Sequence, residues 1–115
     1  MDLGLDVTEH DGVSVVEVRG EVDVSTAPRL RQALMELAAE GRCDVVVVLD
    51  GVEFLDSTGL GVLVSGLKRF RTMGGDLILV CTRPRLLRVL ELTRLDRAFA
   101  VYPDLAAAVG GSTQP

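Results

Sequence analysis

The sequence predicts a single α/β domain with a mostly parallel central sheet. The first observation is a wholly apolar run at residues 45–49, followed after a polar segment by helix-period apolar residues from 60 to 70. The second is that strand-like and helix-like segments alternate with short links, which favours right-handed crossovers between parallel strands. The third is that 115 residues with 48% hydrophobic content can enclose a core without a metal or disulfide.

The first two strands are predicted to form an antiparallel β-hairpin over residues 3–9 and 13–19. Apolar residues roughly alternate with polar ones in both segments. The Asp11-Gly12 pair between them is a preferred two-residue hairpin turn. The first strand therefore lies antiparallel in a sheet that is otherwise parallel.

The first helix is predicted to begin near Ser25 or Thr26, because either hydroxyl can cap a helix. Pro28 lies in its first turn, where the missing N–H has no helical partner to lose. Gly41 ends the helix. The buried stripe of this helix is predicted to consist of Leu30, Ala33, Leu34, Leu37 and Ala38.

The central strand is predicted at residues 45–49 and the second helix at residues 57–73. Gly74-Gly75 ends that helix, and residues 76–81 form the next strand. The inward face of the second helix is predicted to carry Leu60, Leu63, Val64, Leu67 and Phe70.

The third helix is predicted to start around Pro84, with a short strand at residues 99–102 and a final helix opened by Asp104. The third helix is predicted to turn Leu86, Leu87, Val89 and Leu90 inward. The element order is therefore β-β-α-β-α-β-α-β-α. We expect one domain over residues 1–110 and a disordered tail over residues 111–115.

The net charge and the N-terminal segment limit the partners and the cellular compartment that we expect for this protein. A net charge of −5 disfavours nucleic acid and anionic membranes, because phosphate binding needs a basic face. No apolar run reaches the roughly 18 residues of a membrane span, and the N-terminus lacks signal-peptide features. We therefore expect a cytoplasmic protein without membrane contact. Cys43 and Cys81 are expected at opposite ends of parallel strands, unpaired.

Self-contained catalysis is disfavoured by elimination, and we expect no enzyme, cofactor or metal site. His10 is the single histidine and lies in a hairpin turn, so no Ser-His or Cys-His pair is credible. Ser57 lacks the preceding glycine of a nucleophile elbow. The glycines after Ser57 are followed by Val64 where a dinucleotide fingerprint needs glycine, and no P-loop lysine motif is present.

Asp50 follows an apolar strand, as the phospho-accepting aspartate of a receiver domain would. That chemistry needs a further acidic pair at the end of the first strand to hold Mg²⁺. Glu9 and Asp11 lie in a hairpin instead, and the β-β-α opening differs from the receiver order. We therefore interpret Asp50 as a turn-forming residue.

The Asp-Ser-Thr-Gly-Leu-Gly segment at residues 56–61 admits two interpretations. In the simpler one, Asp56 or Ser57 caps the second helix. The second interpretation starts from the glycines. Each glycine inside a helix destabilises it by about 0.8–1 kcal/mol relative to alanine, and capping alone does not explain why glycines are present. Gly59 and Gly61 would then keep the surface around Ser57 bare for another protein, while Gly66 would serve helix–sheet packing.

Several segments together resemble the STAS domain of bacterial anti-sigma factor antagonists. The resemblance extends from residue 5 to residue 109 in the same element order, and the Asp-Ser-Thr-Gly-Leu-Gly segment is its most specific part. The segments are Gly-Glu-Val-Asp at 20–23, Val-Val-Val-Val-Leu-Asp at 45–50, Phe-Leu-Asp-Ser-Thr-Gly-Leu-Gly at 54–61 and Gly-Gly-Asp-Leu at 74–77.

The resemblance implies a phosphorylation switch at Ser57. In that family the serine at this position is phosphorylated by the anti-sigma factor, which is an ATP-dependent serine kinase. The unphosphorylated antagonist binds the kinase and frees the sigma factor, and a serine phosphatase resets the cycle. Asp23 matches a residue of the contact surface, and Thr58 is a less favoured second acceptor.

The expected partner surface combines the start of the first helix with the start of the second. It includes Asp23, Ser25, Thr26, Asp56, Ser57, Thr58, Gly59 and Gly61, and it extends over the expected loop at residues 54–61. Lys68 and Arg69 are either partner contacts or solvated helix residues. Two other readings of the family remain open. One is a STAS scaffold or transporter-associated subunit that is not phosphorylated, and the other is a domain that binds a nucleotide or small molecule.

Overall fold

The computed structural model describes the backbone of residues 2–113 and the side chains through residue 111. The strands of this part of the chain are β1 (Leu3–His10), β2 (Val13–Val22), β3 (Asp44–Leu55), β4 (Asp76–Val80) and β5 (Val101–Tyr102). Its α-helices are α1 (Ala27–Ala39), α2 (Ser57–Thr72), α3 (Pro84–Leu92) and α4 (Leu105–Thr113), with a short 3₁₀ helix at Leu95–Arg97.

The strands form one sheet in the order β1-β2-β3-β4-β5. β1 is antiparallel to β2, and every other neighbouring pair is parallel. The predicted α/β class, element order and N-terminal hairpin are therefore confirmed. Helices α1, α2 and α3 bury their apolar stripes on one face of the sheet, and α4 packs on the other.

The larger core lies between the sheet and the first three helices. Its largest fully buried side chains include Phe70 from α2 and Leu30 and Leu34 from α1, all with no exposed surface. The buried face of α2 differs from the predicted one. Val62, which was not predicted, is buried, whereas Leu60 and Val64 are only partly buried. The wide buried face fits a helix that packs against both a sheet and a neighbouring helix.

The hairpin turn follows its sequence. Asp11 and Gly12 have φ values of 52° and 82°, the left-handed conformations that a type I′ turn requires at both central positions. Just beyond the turn, the buried Ser14 hydroxyl donates to Glu9 at 2.7 Å. The other Glu9 oxygen accepts from Arg42 at 2.6 Å, which ties the hairpin to the loop after α1.

Strand β3 is much longer than the predicted strand at residues 45–49. It continues through Leu55 because its second half pairs with β2, across two register shifts, as far as the Val22–Leu55 pair. Asp50 is therefore a strand residue, and its interpretation as a turn former was wrong. The polar residues and glycine at positions 50–53 hid the strand, because its pairing depends on a distant segment.

Helix α4 continues to Thr113, so the tail predicted from residue 111 was wrong for residues 111–113. Asp104 caps the helix by accepting the Ala107 N–H at 2.8 Å, and the buried Ala108 packs on the sheet. Gly111 lies against the Tyr102 hydroxyl, where a larger residue would collide. The rest of the predicted tail, residues 114 and 115, lies outside the described residues.

The cysteines lie as expected, one before β3 and one after β4, and both are free thiols. Burial raises the pKa of Cys81 above its usual value, so this thiol stays protonated at neutral pH. Among residues 2–113, no helix combines the length and the apolar character needed to cross a membrane.

Candidate functional site

Helix α2 begins immediately after β3, and Asp56 is its cap. The Asp56 backbone is extended, and its carboxylate accepts the Gly59 N–H at 3.0 Å. The Asp56 N–H donates to the carbonyl of Val22 at 3.1 Å, which fixes the helix start to β2. Of the two capping candidates in the sequence, Asp56 therefore has the role, and Ser57 is the first residue of the helix.

The Ser57 side chain is exposed at the end of the helix where N–H groups lack helical partners. Within residues 2–113, its hydroxyl has no hydrogen-bond partner. Thr58 is exposed beside it. This end of a helix is also favourable for a phosphate, because its N–H groups and dipole attract negative charge.

The glycines of α2 have different roles, and the expectation that Gly59 keeps the surface bare was wrong. Gly59 is buried, and a Cβ there would lie 2.5 Å from Leu55 Cδ1 and 2.7 Å from Val22 Cγ1. Gly61 is exposed, with nothing within 4 Å of the place a Cβ would take. A Cβ at Gly66 would lie 3.0 Å from Leu34 Cδ1 of α1 and 3.0 Å from Leu77 Cδ1 of β4, in line with the helix–sheet interpretation.

Asp23 organises the loop between β2 and α1. Its carboxylate accepts the Ser25 hydroxyl at 2.7 Å, the Ser25 N–H at 2.9 Å and the Thr26 N–H at 3.0 Å. The bond from the Ser25 hydroxyl, followed by that from the Thr26 N–H, lowers the pKa of Asp23 below its usual value. The expected partner residues Asp23 and Ser25 thus form one hydrogen-bonded unit, with Ser25 exposed.

Thr26 is buried, so its expected place on the partner surface was wrong. Its hydroxyl donates to the Glu21 carbonyl at 2.8 Å and accepts the Asp23 N–H at 2.9 Å. The hydroxyl is therefore satisfied inside the loop, and α1 has no side-chain cap from Thr26. Thr26 shapes the loop that presents its neighbours.

Two apolar side chains are exposed near the C-terminal ends of β2 and β3, close to the start of α2. Val24 is 73% exposed in the β2–α1 loop, and Phe54 is 48% exposed near the end of β3. The Val22–Leu55 pair places the residues just after β2 next to those just after β3. Val24 and Ser57 therefore lie at the same end of the sheet, beyond the C-termini of β2 and β3. Val24 is not among the residues predicted from the sequence, although a β-branched residue between polar loop residues is a usable signal.

His10, Lys68 and Arg69 lie away from Ser57 in the described part of the chain. His10 pairs with Val13 at the start of β2, whereas Ser57 follows the end of β3. The two residues therefore lie at opposite ends of the parallel strands. Lys68 and Arg69 are exposed three turns further along α2. In the described part of the chain, no group of three His, Cys, Asp or Glu side chains could hold a metal. The arrangement offers an accessible hydroxyl as a substrate.

Comparison with known proteins gives one consistent family. The STAS domain model matches residues 4–108. The anti-sigma-B factor antagonist of Bacillus subtilis is 39% identical over 114 residues, covering 99% of this chain and 100% of that protein. The anti-sigma-B factor antagonist of Staphylococcus aureus is 36% identical over 95 residues, covering 83% and 88%.

Among solved structures, an anti-sigma factor antagonist from Mycobacterium paratuberculosis has the same fold. The two structures superpose with a TM-score of 0.91 and 36% sequence identity, covering 98% of this chain and 96% of the other. The sheet and all helices of the described chain thus lie within a single known architecture.

Proposed function

The chain belongs to the STAS domain family, among its anti-sigma factor antagonists, and on that premise we propose that Ser57 is its regulatory switch. With Ser57 unphosphorylated, the protein binds an anti-sigma factor that is a serine kinase, and the sigma factor is released. Phosphorylation of Ser57 by that kinase ends the binding, and a serine phosphatase restores it. The protein acts in the cytoplasm as a substrate and binding module, without catalysis, a cofactor, nucleic acid or membrane of its own.

The observation that carries this proposal is the free, exposed hydroxyl of Ser57. Asp56 caps α2, so the Ser57 hydroxyl takes part in no hydrogen bond among residues 2–113 and can enter a kinase site without disturbing the fold. The exposed Val24 and Phe54 supply apolar surface at the same end of the sheet as Ser57. Gly61 has open space beside it, which permits the close approach of a partner protein.

The phosphoryl transfer needs no base from this chain. The Ser57 oxygen forms the new bond to the γ-phosphorus of ATP as the bond to the β-phosphate oxygen breaks and ADP leaves. The serine proton passes to a carboxylate of the kinase. Asp56, the adjacent carboxylate, has a different role, because one of its oxygens accepts the Gly59 N–H and caps α2.

The switch we propose is electrostatic and steric. A phosphate on Ser57 adds a charge of about −1.5 to −2 next to Asp56. The helix dipole offsets only about 0.3–1 kcal/mol of the repulsion between these negative groups at an exposed site. In a docked complex that dianion must lose water beside partner groups. A loss of about 3–4 kcal/mol there lowers affinity by a hundredfold or more.

Phosphate mapping tests the acceptor. The protein is incubated with ATP and each anti-sigma factor kinase of its cell, and the modified residue is identified by mass spectrometry. We expect one phosphate on Ser57, none on the Ser57→Ala variant, and normal modification of Thr58→Ala. Phosphate at another residue, or none with any kinase, refutes the proposal.

Binding measurements test the mechanism separately. Ser57→Ala is expected to bind the kinase with nearly wild-type affinity, whereas Ser57→Asp binds at least about tenfold more weakly. Ser65→Asp is the matched control, because Ser65 is exposed on α2 about 12 Å further along the helix. If both aspartate variants bind equally, the charge acts through the whole protein and the local mechanism is wrong.

A further inference from the structure

Strand β3 extends beyond its neighbour β4. The last paired residues of β3 and β4 are Val48 and Val80, but β3 continues to Leu55 with β2 as its neighbour. Within the described residues, no strand pairs with β3 beyond Val48 on the β4 side. The residues from Gly51 to Leu55 therefore form an open strand edge about 17 Å long.

The backbone of this edge has groups available for pairing. The Asp56 N–H donates toward β2, to the Val22 carbonyl. Because backbone groups alternate sides along a strand, those of Leu55, the residue before Asp56, face away from β2. The Asp50 carbonyl already accepts the Arg83 guanidinium at 2.9 Å, so one group near this edge has a side-chain partner in place of a strand.

A groove lies along this edge, between Val52 and Glu53 on one side and residues 82–86 on the other. Its volume is about 540 Å³, and it is open to solvent. The far wall is held in place by Asp50, whose carboxylate accepts the Thr82 N–H at 2.7 Å and the Thr82 hydroxyl at 3.0 Å. The groove is therefore formed before any ligand enters.

The charge of the groove favours an acidic ligand. Arg83 and Arg85 line one wall and Glu53 the other. The Arg85 guanidinium has no hydrogen-bond or ion-pair partner among the described residues. Residues 82–97 contain five arginines, one glutamate and one aspartate, so this segment has a net charge of +3 in a chain whose total is −5.

We propose that this groove binds an extended, acidic peptide segment of a partner protein, which pairs with β3 as an added strand. The unpaired edge supplies main-chain hydrogen bonds, and the arginine wall selects the acidic side chains. The exposed Phe54 offers an apolar contact at the end of the edge. The binding does not depend on Ser57 or its phosphorylation.

The test uses a synthetic peptide of about six residues in which Thr and Val alternate around two Glu. Amide shifts of isotope-labelled protein are followed by NMR during titration. We expect saturable shifts at residues 51–55 and at residues 82, 83, 85 and 86, Pro84 having no amide N–H. A second peptide with Lys in place of both Glu, and a third with alternate amides N-methylated, should bind at least about fivefold more weakly.

Charge-reversal variants locate the site. Arg85→Glu should weaken the acidic peptide at least about fivefold, while Arg88→Glu, on α3 outside the groove, should change it less than twofold. Equal effects of the two substitutions refute the groove as the site. Peptide shifts confined to other parts of the sheet, or no saturable shifts, refute it as well.

Two other occupants are distinguished by the same samples. If a second copy of the chain fills the groove, the residue 51–55 amides shift with protein concentration alone and the peptide does not compete. If inorganic phosphate or a short oligonucleotide produces the same shifts as the peptide, the groove binds anions in general. Either result overturns the proposal. Ser57→Asp should leave peptide affinity unchanged, which separates this site from the switch.

Discussion

Gly59 and Gly61 form a matched pair for testing the packing of the α2 start. In both positions alanine gains about 1 kcal/mol of helix propensity. At Gly61 the added methyl meets nothing within 4 Å, so Gly61→Ala should raise the unfolding free energy by about 0.5–1 kcal/mol. This variant measures the propensity term without a packing term.

At Gly59 the same methyl would collide with two buried side chains. It would lie 2.5 Å from Leu55 Cδ1 and 2.7 Å from Val22 Cγ1, and Val22 is fully buried and stiff at χ1. Overpacking costs about 1–3 kcal/mol, and two contacts below 3.0 Å place this case at the upper end, about 2–3 kcal/mol, of which the propensity gain offsets about 1 kcal/mol. We therefore expect Gly59→Ala to lower the unfolding free energy by about 1–2 kcal/mol.

Urea and thermal unfolding followed by circular dichroism measure both variants. For a domain of this size, about 1 kcal/mol corresponds to about 4 °C in Tm, so Gly59→Ala should lie about 4–8 °C below wild type and Gly61→Ala about 2–4 °C above it. If Gly59→Ala is as stable as Gly61→Ala, the close contact with Val22 and Leu55 does not exist and the reasoning fails.

The remaining predictions concern the caps and the β2–α1 loop. Asp56→Ala should lower the unfolding free energy by about 1 kcal/mol in urea titrations, because α2 loses its cap; an unchanged midpoint contradicts the assignment. Thr26→Val should cost about 1–3 kcal/mol by the same assay, since the Glu21 carbonyl loses its buried donor, and a neutral result contradicts this. The lowered pKa of Asp23 means that its contribution is present above its ordinary value of 3.8 and is lost as pH falls through the lowered value; Asp23→Asn should flatten that part of the stability profile.

Local signals were sufficient where the structure depends on neighbouring residues. The Asp11-Gly12 turn, the proline at the start of α1 and the stop at Gly74 each follow from short-range backbone preferences, and all three are present. The element order followed from the alternation of apolar periods. These features need no knowledge of what packs against them.

Features that depend on distant contacts were predicted less well. The second half of β3 is a strand because β2 pairs with it, which the polar residues near Glu53 do not indicate. Thr26 has the composition of a surface loop residue, but its hydroxyl is enclosed by hydrogen bonds to the preceding strand. Gly59 lies in a helix start where an open surface and a tight contact look alike in sequence, and the contact comes from Val22.

The capping of α2 by Asp56 also bears on how the protein is turned over in the cell. Because Asp56 and not Ser57 makes the capping bond, the proposed phosphate on Ser57 would break no hydrogen bond of the native helix. The two forms should then open at similar rates and be degraded by proteases at similar rates. The total pool of protein would stay constant while the switch operates, so the ratio of the two forms alone would carry the signal.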